Sequence, residues 1–474
     1  MRRRHLEYRK QSYENHTIRL LACLPRIRIA MTSQSRSPHA RTPKALTLGL
    51  ELEFLMEEPD WPGVEGISKE HAGFRRLAEA LKSHTVLPIA KVCSHASWMM
   101  CLACEGLPDR YRVRTNIAGH SCLLNVFSPH WMDAGVEKIP DLHEDIDPLR
   151  YFHIVEEEVF REPPLKEGLT GIPSEWMSAE ITSPVLTSRD VDAGLPQIRQ
   201  LITGLRDTNI PMGINTDCGL HVHVGFGEGM TLVHAQRAIS LAILLEMPLF
   251  DLLLSPERRE RYERSRLSTN SLIYREEEDT LMDPPQHSDV FRAHIPSRDL
   301  FHANRWNGGN PDRLYTALVR AFECSTMREL SRLLWKATGT RSGTALCFRK
   351  GHDDDAPDAH DGMQAGTVPS LSTVEFRYFG MTFDTTIIHE WVVVLSAVMG
   401  LAREDGATFK RSFHRLLTMI DYAEDRGFND PWVYLLEELG LAERIPFWRD
   451  LLAKYEAGVF FVGTDGGFLR RNTE

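Results

Sequence analysis

Three widely separated segments of this chain alternate apolar and ionisable residues with a period of two. They are Leu46-Thr47-Leu48-Gly49-Leu50-Glu51-Leu52-Glu53-Phe54, Leu220-His221-Val222-His223-Val224 and Val374-Glu375-Phe376-Arg377-Tyr378. Successive side chains of a β-strand point to opposite faces, so each segment predicts a strand with one apolar face and one face of carboxylates or imidazoles. A fourth strand-like segment, Trp176 to Pro184, sets Glu180 between Ala179 and Ile181, and Pro184 ends it or places it at an edge. Taken singly these are modest signals. A lone strand histidine is more often a core or rim residue than a ligand, and Glu51 with Glu53 alone suits a wet edge strand.

The remaining sequence sets the frame around them. With 474 residues, 42% of them hydrophobic, the chain can bury a large core. Its net charge of −11 argues against a general binder of nucleic acid or anionic membrane. No apolar run reaches the roughly 18 to 20 residues of a bilayer span. Eight sparse cysteines fit reduced thiols, so the expected location is the cytoplasm. Residues 1–44 are rich in Arg, Ser and Pro and read as a disordered basic leader, with Met31 a second candidate initiator. An Arg-rich start also suits a mitochondrial presequence, against which Glu7 and Glu14 speak.

Helical spacing predicts an amphipathic helix over 69–84, one helix over 188–208 closed by Asn209, and a long apolar helix capped by Thr231 and interrupted by Pro248 and Pro256. It also predicts a helix over 312–335, one capped by Asp384, and three or four short helices between 408 and 455. The stretch 141–167 reads as a charged excursion, 275–300 as loop, 302–309 as a polar turn near a site, and 339–372 as a disordered loop containing His352-Asp353-Asp354-Asp355. Glu257 to Arg266, dense in mixed charge, reads as a solvated helix face whose arginines have a phosphate-bearing ligand as their alternative. Cys93, His95, Cys101, Cys104, His120 and Cys122 hold one CxxC where a zinc site needs two good ligand pairs, so they read as buried thiols.

If the four strand faces meet on one sheet, Glu51, Glu53, Glu180 and Glu375 form a carboxylate floor with His221, His223 and Arg377. One arginine does not balance four poorly solvated carboxylates, and divalent cations do so economically. Carboxylates with one or two imidazoles suit Mg²⁺ or Mn²⁺ better than structural zinc. Such a floor, with metal to bridge phosphates and a cation for developing charge, is what phosphoryl transfer needs.

The ordered set Glu51-Leu52-Glu53, Trp176 through Glu180 to Pro184, Cys218-Gly219-Leu220-His221-Val222-His223 and Val374-Glu375-Phe376-Arg377 resembles the amidoligase family of carboxylate–amine ligases, relatives of the glutamate–cysteine ligases and of glutamine synthetase. The resemblance implies an α+β fold: a twisted antiparallel sheet with a concave active-site face, flanked by helices. It covers a catalytic domain over 45–402, and the short helices that follow read as a helical C-terminal extension over 403–474. By the same resemblance Glu51, Glu53, Glu180, His221 and Glu375 are metal ligands, His223 lies near the nucleotide phosphates, and Arg377 binds the transferred phosphate or the substrate carboxylate. Glu375 and Arg377 are the catalytic pair so implied, ATP and Mg²⁺ (or Mn²⁺) the cofactors. The implied partners are a small carboxylate and an amine, amino-acid or peptide in kind, with no nucleic acid and no membrane. Two rivals are a metal-dependent amide hydrolase using the His-x-His strand, and a noncatalytic binding module on the same fold. The hydrolase barrel needs repeated β/α units that the sequence lacks, and survival of all four carboxylates disfavours the binding module.

Overall fold

The long central strand explains the architecture. In this computed structural model β1 (Leu46–Glu57) buries Leu48, Leu50, Leu52 and Phe54 on one side and holds Glu51 and Glu53 on the other, as its period-2 pattern requires. The described residues are 46–58, 69–93, 112–117, 120–127, 152–155, 175–262, 265–274, 289–303, 305–307, 310–336, 338–347, 372–428, 430–460, 462, 464 and 467–469. The leader expected over 1–44, the side chains of the rejected zinc cluster and His352 to Asp355 lie outside them. Residues Ala45–Glu474 form one compact unit.

Ten further strands follow: β2 (Ile89–Cys93), β3 (Arg112–Ile117), β4 (His120–Phe127), β5 (Phe152–Val155), β6 (Trp176–Thr182), β7 (Leu186–Thr187), β8 (Met212–Gly213), β9 (Leu220–Phe226), β10 (Thr344–Cys347) and β11 (Thr373–Phe376). Across the sheet the order is β10-β11-β9-β1-β6-β5-β2-β4-β3, with the short β7 and β8 pairing to β1. Among the described strands every neighbouring pair is antiparallel, as expected, except β2 with β5, which is parallel. The mixed α and β character, with helices around the sheet, is as expected.

Register brings the four site strands side by side. Glu51 faces His221 and Gly49 faces His223 between β1 and β9; Glu53 faces Glu180 between β1 and β6; Glu375 faces His223 between β11 and β9. A slip of one residue in any pair would turn carboxylates into the core and leucines to the cavity, so burial of the apolar face holds the register. That face includes Leu220, Val222, Val224, Val374, Phe376, Ala179 and Ile181. Each fully buried Leu, Ile, Val or Phe there contributes roughly 1.5–3 kcal/mol.

Helices cover the apolar side. The helix Thr385–Ala402, capped by Asp384 through Thr386 and Ile387 N–H, packs on β9 and on the helices Leu232–Leu245 and Pro196–Asp207. Phe250 joins the layers, its ring 6.0 Å from Phe376 and 5.7 Å from Trp391. By length and composition Thr385–Ala402 is a helix able to cross a membrane, but it is used here as a core helix, with Ile387, Trp391, Val394, Leu395 and Val398 buried.

Several boundaries differ from expectation for local reasons. The predicted helix over 188–208 is two, Ser188–Asp192 and Pro196–Asp207, because Pro196 has no N–H to continue the first and Leu195 takes φ 54° at the join. The predicted helix over 312–335 is Pro311–Glu323 and Met327–Leu333, split where the Thr326 hydroxyl accepts from Glu329 N–H and starts a new helix. The apolar helix ends at Leu245 and passes into a single wide π-type turn, Glu246–Phe250, around Pro248. The excursion over 141–167 contains β5, and the insertion over 339–372 contains β10, the edge strand beside β11. A helix, Asp289–His294, stands within the stretch read as loop.

Candidate active site

The ionisable face of the sheet is the floor of a cavity of about 960 Å³. Glu51, Glu53, Glu180, His221 and Arg377 line it. The His221 ring, 3% exposed, is pinned between carboxylates: Nδ1 lies 3.0 Å from Glu51 Oε2 and Nε2 lies 3.3 Å from Glu53 Oε1. His223 reaches the other oxygen of Glu51 with Nε2 at 2.8 Å, while its Nδ1 lies 3.2 Å from Thr373 Oγ1. One carboxylate thus joins the two imidazoles. Glu53 also accepts the Gly219 N–H at 2.6 Å. A Cβ on residue 219 would sit 2.6 Å from His221 Nε2 and 3.0 Å from Glu53 Oε2, so only glycine lets that backbone approach.

Glu375, fully buried, is the most heavily paired carboxylate. Arg377 and Arg341 both donate to it, Arg341 at 2.9 Å, and the Cys347 thiol donates to Oε2 at 3.0 Å. Burial alone would raise the Glu375 carboxyl, but the charge of His223, with Arg377 and His221, brings it down to about 2. Glu51 obeys the same balance: burial opposes ionisation, and His223 and His221 hold the group well below the ordinary carboxylate range. In return burial works against the His223 cation, but Glu51 outweighs it and raises His223 well above an ordinary imidazole. Burial likewise opposes the Arg377 charge, and Glu375 and Glu51 reverse the effect, raising it.

A cationic wall that the strand pattern did not announce lines the same cavity and meets the floor where Arg341 donates to Glu375. Arg258, Arg261 and Tyr262 come from the helix Pro256–Tyr262, and Lys336, Thr340, Arg341 and Ser342 from a turn beyond Trp335. The dense charge run is therefore not simply a solvated face. Arg258 is buried and donates to the carbonyls of Tyr378 at 3.1 Å and Thr216 at 2.9 Å, Arg266 pairs with Asp251, and Arg261 pairs with Asp217 at the cavity edge. The turn is closed by the bridge from Trp335 to Arg341 and by Lys336 N–H to Thr340 O at 2.8 Å, with Gly339 supplying φ +81°. Buried Glu246 secures the far side, accepting from Leu267 N–H, Ser268 N–H and the Tyr378 hydroxyl.

Every residue picked from the strand pattern is thus on the same face of one sheet. Glu51, Glu180 and His221 each offer one ligand atom, all within 4.8 Å of one another, and two carboxylates with one imidazole are a donor set that suits Mg²⁺ or Mn²⁺. Glu53 adjoins them through His221, and Glu375 lies 3.8 Å from the same ring. Of the stretch 302–309, the described residues 302, 303 and 305–307 are not among those lining the cavity; Arg305 instead pairs with Glu424 of the helix Gly406–Asp425. The missed wall had one signal, the arginines of 257–266. Nothing in the residue pattern of 335–342 marks a site.

Residues 44–326 match the model of a family described as "Putative amidoligase enzyme". No curated protein and no solved structure matches the chain.

Proposed function

The chain belongs to the amidoligase family, and from that premise we propose that it is an ATP- and Mg²⁺-dependent carboxylate–amine ligase built on a glutamine-synthetase-like sheet. The observation that carries this reading is the meeting, in one cavity, of a carboxylate and imidazole floor with a wall of arginine and lysine. A floor that concentrates negative charge suits metal; a wall that concentrates positive charge suits phosphate and carboxylate. The volume of about 960 Å³ has room for a nucleotide beside a small amino-acid or peptide-like substrate.

In the proposed reaction a carboxylate oxygen attacks the terminal phosphorus of ATP, the bond to ADP breaks, and an acyl phosphate forms. The amine nitrogen then attacks the acyl carbon, phosphate leaves, and the amine proton passes to water. Glu51, Glu180 and His221, with Glu53 and Glu375 adjoining, would hold the metal. Bound Mg²⁺ would screen the repulsion between ATP and carboxylate and stabilise charge on the transferred group. Arg377, held by Glu375, would bind the transferred phosphoryl group or the substrate carboxylate. His223 would lie beside the nucleotide phosphates. Arg258, Arg261 and Lys336 would draw anions into the cavity, the effect being strongest where water is excluded.

The test is a screen of ATP consumption with Mg²⁺ over amino acids, polyamines and peptides, with mass detection of a condensation product. ADP and phosphate appear together with an amide only when the matched carboxylate and amine are both present. Amide hydrolysis without ATP would overturn the proposal in favour of a hydrolase, and failure to bind any nucleotide would point to a binding module.

A further inference from the structure

The floor carries a second set of candidate ligands, and it differs from the first in one atom type. His223, Cys347 and Glu375 each offer a ligand atom, and these lie within 4.8 Å of one another at the β10 edge of the sheet. Strand geometry builds the set. Glu375 faces His223 across β11 and β9, while Ala345 faces Glu375 across β10 and β11, so Cys347 is the diagonal neighbour on the same side. The thiol is already directed at the carboxylate, 3.0 Å from Oε2.

Chemistry separates the two sets. Mg²⁺ takes oxygen ligands and gains nothing from sulfur, whereas Zn²⁺ binds thiolate, imidazole and carboxylate together in tetrahedral geometry. We propose that His223, Cys347 and Glu375 form a site for a thiophilic divalent cation, best matched by Zn²⁺, adjoining the oxygen-rich trio of Glu51, Glu180 and His221 and drawing Glu375 away from it. On binding, the Cys347 S–H bond breaks, its proton passes to solvent and an S–Zn bond forms. Thiolate and carboxylate together balance the charge of the ion, and a water completes the fourth position. Arg341, whose side chain is 51% exposed, can swing to solvent as the Oε2 it contacts turns to the ion. Occupancy takes Glu375 and His223 away from Arg377 and Glu51, so zinc inhibits the enzyme. This last consequence rests on the ligase reading; the binding itself does not.

The experiment uses the full chain stripped with EDTA and titrated with Co²⁺, whose thiolate-to-cobalt charge-transfer band in the near ultraviolet reports sulfur ligation. The native chain shows the band, Zn²⁺ bleaches it, and Cys347→Ser lacks it and binds Zn²⁺ at least about tenfold more weakly. Cys347→Ala gives the same loss, and thermal melts of both variants verify folding. Absence of the band in the native chain, or its persistence in both folded variants, overturns the site. In the presence of excess Mg²⁺, Zn²⁺ suppresses ATP-dependent condensation by the native chain but not by Cys347→Ser. Equal zinc sensitivity of the two would overturn the inhibitory role while leaving the spectroscopic result to decide the site. A chain with the cobalt band but no ligase activity would refute the ligase reading alone.

Discussion

The floor and the wall of the cavity are built by different rules. Floor side chains stand on paired strands, and Glu375, Glu53 and His221 are almost wholly enclosed, with side-chain exposures of 0%, 6% and 4%. On the wall, Arg261 is 49% exposed and Arg341 51%. Strand register, held by a core on the reverse face, leaves the floor little freedom to move. The wall hangs on a two-turn helix and a glycine-containing turn, and its outer charges rest in water. A rigid acidic surface fits chemistry that needs reacting atoms in line, and an adaptable basic rim fits capture of anions of varied shape. This division predicts that changes in the floor act on turnover and metal affinity, and changes in the rim act on substrate capture.

The largest effect is expected at the centre of the floor. Glu51→Gln keeps the shape of the side chain but removes the charge that joins both imidazoles. Mn²⁺ affinity, followed by electron paramagnetic resonance, should fall at least about 100-fold. Turnover should fall about 10³-fold, since a catalytic metal supplies several kcal/mol. If Glu51→Gln binds Mn²⁺ as the native chain does, the floor is not the metal site and the comparison fails.

Much of this contrast could be read from the amino-acid order, and the reasons it stops are physical. Period two locates Glu51, Glu53, His221, His223, Glu375 and Arg377 on one side because a strand leaves a side chain only two directions. Pairing between distant strands is another matter. That Glu53 meets Glu180, or that β5 separates β6 from β2, depends on tertiary packing that no local pattern encodes. Short edge elements fail for a related reason: Phe152–Val155 and Thr344–Cys347 are four residues each, too brief for an alternation to stand out from charged or glycine-rich surroundings. Arg258 is the instructive error. Within a run of mixed charge it resembles a solvated residue, and only the fold turns it inward onto the carbonyls of Thr216 and Tyr378.

A second, intermediate effect concerns pH in the metal-free chain. Glu51 and Glu375 are depressed, so their contribution to stability is present above the ordinary carboxylate value of 4.5 and is lost as pH falls through their folded values, about 2 for Glu375. His223 is raised, so its contribution is full below 6.5 and is lost as pH rises through its higher folded value. In EDTA the melting temperature should therefore be highest between about pH 4.5 and 6.5 with respect to these groups and decline on the alkaline side. His223→Asn should flatten that alkaline decline. An unchanged decline in the variant would show that the Glu51–His223 pair does not govern it.

The smallest effect on the fold, and the sharpest test of the wall, is Arg261→Ala. Its partner Asp217 also borders the cavity, and with the arginine half exposed their ion pair is worth no more than about 1 kcal/mol, so the melting temperature should move by a few degrees at most. Its removal subtracts positive charge from the entrance while leaving the floor intact. KM for the anionic substrate should rise roughly tenfold with kcat nearly unchanged, and the difference from the native chain should shrink as salt is added, because a rim charge acts through a screened field. A fall in kcat with KM unchanged would instead place Arg261 at the transferred group. That result would make the wall part of the reacting surface and erase the distinction between capture at the wall and chemistry on the floor.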